Sequence, residues 1–141
     1  MSTLQDVLRE LLDTARASRV TLRRDLPGEQ PFPVVEEALA PGVASIRDVR
    51  SVHLPSQPVV LEVQRGRQVV QDDCAEAYAD PAFQRMLVAY GGLAAQIVTP
   101  VVRDGELEGI LSLHQLGAPR RWTDEEIDAA TRAAGCVREL L

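Results

Sequence analysis

Few residues of this chain have chemistry to offer: two cysteines, Cys74 and Cys136, two histidines, His53 and His114, and an acidic pair, Asp72-Asp73, directly before Cys74. A thiol attacks as the thiolate, and two carboxylates beside Cys74 raise its pKa rather than lower it, so the local sequence opposes nucleophilic chemistry. Two unpatterned cysteines make neither a disulfide framework nor a zinc site, and no metal centre is expected. Asp72-Asp73 could hold a cationic or hydroxylated ligand, or simply turn the chain and stay solvated. His114 closes the run "GILSLH", sharing a strand face with Ser112 while Leu111 and Leu113 point away. It could contact a ligand or haem iron, or bond a neighbour at the strand end. Gln96 could add a directional amide to the same place, or face solvent ahead of an apolar run. Phe83, Met86, Leu87 and Tyr90 recur at helical spacing, the mark of a core stripe. His53 falls in a stretch without period and is expected to be exposed, and Arg120-Arg121 are expected to remain in water.

Composition narrows the classes. The 141 residues carry a net charge of −6, and all 15 basic residues are arginine, scattered rather than clustered. Nucleic acid, which wants a basic patch, is therefore not an expected partner. No apolar run reaches membrane-spanning length and no signal peptide opens the chain, so a cytoplasmic protein without a membrane partner is expected. A chain of this length buries roughly two-thirds of the surface its unfolded form exposes, enough for one domain over residues 1–141 without staples.

The elements that must position these residues are organised around a hairpin from Ala94 to Gln115. Asp104-Gly105 separates two apolar runs, the strongest short-range hairpin signal, because a type I′ turn needs positive φ at both central positions. Both runs are apolar on both faces, which places them mid-sheet under cover on each side. Gly109 in the second run predicts a bulge or a close backbone approach.

Ahead of the hairpin, Leu4 to Arg16 is an amphipathic helix capped by Thr3 with Asp6. Ser18 to Arg24 alternates as a half-buried strand, Val20 and Leu22 inward and Thr21 and Arg23 outward, ended by Pro27-Gly28. Phe32 to Ala40 reads as a second strand, although Glu36, Glu37 and Ala38 suit a helix almost as well. Val43 to Leu54 has no clean period. Ser56 to Gln64 reads as a short helix capped by Ser56 with Pro58 in its first turn, and Arg67 to Asp72 as a short strand. Asp80-Pro81 opens a helix that runs to Gly91-Gly92. The last helix, residues 123–140, starts at Thr123 with Glu126 reaching back and Trp122 and Ile127 as a hydrophobic staple. The plan is α+β: a mainly antiparallel sheet of five to six strands, terminal helices on one face and a helix and loop excursion on the other.

Three stretches, Ser18 to Arg24, "VVLEVQRGRQVVQDD" and above all "AAQIVTPVVRDGELEGILSLHQ…RRWTDEEIDAATRAAGCV", resemble the GAF domain, the small-molecule-sensing relative of PAS domains. The proline-led strand, the Gly-containing hairpin and the "WTDEEI" opening of the last helix carry the likeness, which covers nearly the whole chain. The resemblance implies a pocket between the sheet and the excursion of residues 43 to 90, with Tyr78, Phe83, Met86 and Tyr90 in its wall. It also implies dimerisation through the terminal helices.

The ligand does not follow from the resemblance, since GAF domains bind cyclic nucleotides, haem, bilins, amino acids or small acids, and some bind nothing. The family's bilin-attachment pattern, Cys followed by His, is absent because Ala75 follows Cys74. One branch resembles an enzyme, the free methionine-(R)-sulfoxide reductases, but it needs thiols near the pocket, and Cys136 lies on the last helix facing away. The expectation is a sensory homodimer without catalysis, signalling to a separate output protein because these residues hold no output segment. Its candidate ligand contacts are Asp72, Asp73, Tyr78, Phe83, Met86, Tyr90, Gln96 and His114. Aromatics make up 4% of the chain, too few to sandwich haem or a flavin. No cofactor is expected beyond an unidentified small organic ligand.

Overall fold

A computed structural model describes residues 2–27 and 31–141. Five strands form one sheet: β1 (Arg19–Arg24), β2 (Val34–Leu39), β3 (Val69–Gln71), β4 (Leu93–Arg103) and β5 (Glu106–Leu116). Their order across the sheet is β2-β1-β5-β4-β3, and every neighbouring pair is antiparallel. The hairpin of β4 and β5 therefore occupies the middle, as its two-sided apolar sequence requires. Its turn carries φ of 53° at Asp104 and 79° at Gly105, both positive as a type I′ turn demands.

Helices α1 (Leu4–Ala15) and α4 (Asp124–Leu140) cover one face. Both open on complete capping boxes, Thr3 with Asp6 and Thr123 with Glu126, each satisfying two orphan helix-end donors. Leu8, Leu11, Leu12, Ala130, Ala134 and Val137 pack onto Val20, Leu22, Ile97, Leu111 and Leu113 of the sheet, with buried Trp122 at the rim. Two short helices, α2 (Pro58–Gln64) and α3 (Pro81–Ala89), cover the other face with the loops around them. There Val59, Val63, Phe83, Met86 and Leu87 form a second core over Val98 and Ile110. Asp80 caps α3 by accepting from Ala82 N at 2.9 Å, with Pro81 in the first turn.

Gly109 serves both expected purposes. The β4–β5 register shifts between Val101 and Val102, opposite it, and a Cβ built on Gly109 would lie 2.9 Å from the Arg23 carbonyl oxygen. Gly109→Ala must push two central strands apart and is expected to cost about 1–3 kcal/mol, measurable as a lower urea midpoint with an unchanged slope.

Three sequence readings need correction. Strand β1 is not half-buried: Arg19, Thr21 and Arg23 are buried along with Val20 and Leu22, because the excursion covers the face taken for solvent. Ser56 does not cap α2; it ends a 3₁₀ turn, Leu54–Ser56, where its Oγ donates to the His53 carbonyl oxygen at 3.0 Å, and Gln57 stands at the cap position instead. Arg120 is not left in water, since its guanidinium lies 4.2 Å from the Trp122 ring centroid and pairs with Glu126. The second strand stands as read: residues 36–38 are strand rather than helix, with Glu37 paired opposite Thr21. The expected turn at Pro27-Gly28 lies partly outside the described residues, and β1 ends before it, at Arg24.

Candidate ligand site

Antiparallel register lines up a polar row across four strands on the excursion face. Arg19 pairs with His114, His114 with Gln96, and Gln96 with Gln71. One step along lie Thr21, Ser112 and Val98, and one further Arg23 with Ile110. Side chains two residues apart share a face, so β1 presents Arg19, Thr21 and Arg23 while β5 presents Ser112 and His114.

This row is hydrogen-bonded internally. Arg19 Nε–H donates to His114 Nδ1 at 3.0 Å, its Nη1 to the Ala44 carbonyl at 3.1 Å and its Nη2 to the Tyr90 carbonyl at 2.7 Å. Arg23 donates to the Phe32 carbonyl at 2.9 Å and to the Tyr90 hydroxyl at 3.0 Å. The Tyr90 ring, at the C-terminal cap of α3, stacks on His114 with centroids 6.0 Å apart and 27° between planes. Farther along, Gln96 Nε2 donates to Gln71 Oε1 at 2.8 Å.

Because Nδ1 accepts from a guanidinium, the neutral His114 ring carries its proton on Nε2. Complete burial and the nearby charges of Arg19 and Arg23 hold its pKa well below 6.5. Below pH 6.5 the unfolded chain therefore takes up a proton that the folded one refuses, and stability falls with pH. The loss is expected to begin as pH drops through 6.5 and to approach about 1.4 kcal/mol per pH unit, with no contribution above it; urea midpoints between pH 7.5 and 5 measure it.

Above the row lies a partly open cavity of about 40 Å³, lined by Leu54, Gln57, Val59 and Val60 from the α2 side, Met86 and Tyr90 from α3, and Ile46. At roughly 10–15 Å³ per enclosed water, it has room for about three. Two side-chain oxygens at its wall, Thr21 Oγ1 and Gln57 Oε1, have no hydrogen-bond partner although their residues are 1% and 2% exposed. Unpaired buried polar atoms are costly, and both of these border the same void.

Of the eight sequence candidates, Met86, Tyr90, Gln96 and His114 line this cavity and the others do not. Phe83 is core, 5.0 Å edge-on to Tyr78, so this pair supports the wall from behind. Asp72 is exposed and fastens the approach to α4, accepting from Trp122 N at 3.2 Å. Asp73 precedes a 3₁₀ turn, Cys74–Glu76. Sequence reasoning missed Arg19, Thr21, Arg23 and Gln57. The signal for the first three was present as Arg-x-Thr-x-Arg alternation, which had to be placed beside Ser112 and His114 to be read as an interior face.

Cys74 is buried in the second core, its thiol pushed up to about 12 by burial and by Asp73. Such a thiol is inert at neutral pH. Cys136 is exposed and lines a groove between α1 and α4 on the opposite side of the sheet.

A family model for the GAF domain matches residues 2–137. The chain belongs to the GAF domain family. Solved GAF folds superpose on it over nearly its whole length. The cyanobacteriochrome TePixJ GAF domain is 24% identical with a TM-score of 0.77, over 97% of this chain and 88% of that one. The blue-light-absorbing form of the Thermosynechococcus elongatus PixJ GAF domain is 24% identical, TM-score 0.70, over 97% and 86%. The far-red-absorbing dark state of JSC1_58120g3, with bound biliverdin, is 17% identical, TM-score 0.72, over 99% and 92%. At these identities the likeness is one of fold. A comparison with curated proteins gave no match. In this GAF domain no helix among the described residues is long and apolar enough to cross a membrane.

Proposed function

We propose that this GAF domain is a sensory module that binds a small molecule over the Arg19–His114–Arg23 floor and passes the change to a separate output protein. The observation that carries this reading is the partly open cavity at whose wall stand Thr21 and Gln57, each with a buried side-chain oxygen left unpaired, since a structural core satisfies such atoms. Tyr90 links the floor to α3 through its hydroxyl and its backbone carbonyl, so a ligand that shifts the two arginines also moves that helix.

A bilin, by contrast, does not fit these residues. A tetrapyrrole needs a pocket of several hundred Å³ against about 40 Å³ here, and the thiol that would attach it, Cys74, is buried and followed by Ala75. No catalysis is proposed either, because the inert Cys74 and the exposed Cys136 lie on opposite sides of the sheet. The small volume favours one second reading, an adaptor whose cavity holds only water.

The terminal helices are proposed to pair with those of a second copy. Their groove, about 470 Å³, is lined by Val7, Leu11, Ala129 and Leu140 together with Glu10 and Arg132. A two-fold copy would bring these opposite charges together in both directions, as a self-complementary interface requires.

Native mass spectrometry of the freshly purified protein, compared with the same sample denatured, tests all three statements. The sensor reading expects a dimer carrying a mass excess that vanishes on denaturation. An unliganded dimer would favour the adaptor, and a monomer at micromolar concentration would remove the dimer.

A further inference from the structure

We infer that the ligand is a small monocarboxylate of about two or three carbons, its carboxylate held by Arg23, His114 and Thr21 and its carbon tail lying among Val59, Val60 and Met86. The inference rests on the reading of this cavity as a ligand site and adds the chemical class.

The first argument is charge. Arg19 and Arg23 lie two residues apart on one strand face, both buried, and neither forms an ion pair among the described residues. The hydrogen-bond partners they do have, His114, Tyr90 and the carbonyls of Ala44, Phe32 and Tyr90, are all neutral. Glu37, the carboxylate opposite Thr21 on β2, accepts from Ser45 and from Ile46 N and forms no ion pair with either arginine, although its charge reaches Arg19. Two buried guanidiniums against the single carboxylate of Glu37 leave a net positive charge, with Arg23 at the wall of the void and Arg19 behind it, and that makes the void selective for an anion.

The second argument is the direction of the remaining hydrogen bonds. His114, with Nδ1 taken, has only the Nε2 proton left to offer. Thr21 has an uncommitted hydroxyl, and Arg23 keeps donors beyond the two it uses. Such a donor-rich floor meets an acceptor-only group, and a carboxylate is one. Gln57, on the opposite wall, presents an amide that serves a carbonyl or hydroxyl next to the carboxylate.

The third argument is size and shape. A void of about three waters takes a carboxylate and a very short tail, and the wall away from the arginines is aliphatic: Val59, Val60, Met86, Val98 and Ile110.

Thermal melting with sodium propionate, at ionic strength matched with sodium chloride, tests this against propionamide, which has the same shape without the charge, and against ethylammonium. Propionate is expected to raise the melting temperature saturably and the other two to leave it unchanged. Arg23→Gln should weaken propionate at least tenfold. Because Arg23→Gln also removes the bonds to Phe32 and Tyr90 that hold the fold, Thr21→Val serves as the second: losing an unpaired buried hydroxyl should raise the melting temperature of the free protein while weakening propionate about tenfold. Equal or greater stabilisation by propionamide or ethylammonium would overturn the carboxylate assignment and leave the ligand site standing. A flat response to all three probes, together with no native mass excess, would overturn both. Unchanged propionate affinity in Thr21→Val would remove the binding mode drawn here.

Discussion

Phe83→Ala is expected to destabilise the protein by about 3–5 kcal/mol, the cost of an empty aromatic site in a core that cannot collapse around it. The ring is fully buried and lies edge-on to Tyr78, 5.0 Å between centroids. It anchors α3, which carries Met86 and Tyr90 to the cavity, so the damage falls on the excursion face. For a domain whose total stability is of order 5–15 kcal/mol, this is a large share, and any ligand over the floor should be lost with it. Equilibrium urea unfolding measures the effect through its midpoint. A loss below about 1 kcal/mol would mean that α3 is held by something other than this ring.

His114→Phe has a smaller cost and a more diagnostic signature. Phenylalanine can still stack on Tyr90 but cannot accept from Arg19 Nε–H, leaving a charged donor unpaired inside the protein. The expected cost is about 2–3 kcal/mol at pH 7. The variant should also lose the part of the acid sensitivity that begins below pH 6.5, because no ring remains for the unfolded state to protonate. Retention of the full slope in His114→Phe would assign it to another group and contradict the neutral, buried state of this histidine.

Much of the fold could be read from local signals. Asp104-Gly105 sets the hairpin through turn stereochemistry, the two capping boxes set the starts of α1 and α4, and Asp80-Pro81 sets α3. What escaped was whatever depends on which face a neighbour covers. Arg19, Thr21 and Arg23 look solvent-facing in isolation because alternation says only that a strand has two faces. That the polar face is also interior follows from β5 pairing with β1 and from a loop, residues 43–53, with no periodic signal of its own. His114 and Gln96 were legible because they interrupt apolar strands. Asp72 and Asp73 drew notice for their charge, yet Asp72 fastens the approach to α4, Asp73 opens the turn at Cys74, and neither lines the cavity. Gln57 was hidden by its neighbour: Pro58 marks the helix start, and nothing local shows that the residue before it turns its amide inward.

The most direct test of the floor as a ligand site is the ring-nitrogen magnetic resonance spectrum of the two histidines, His53 and His114, near pH 6. His114 is expected to be neutral with its proton on Nε2, and that Nε2–H signal should move saturably as propionate is added while exposed His53 stays fixed. A charged or Nδ1-protonated His114, or a His114 signal unmoved over the range where propionate raises the melting temperature, would contradict this account.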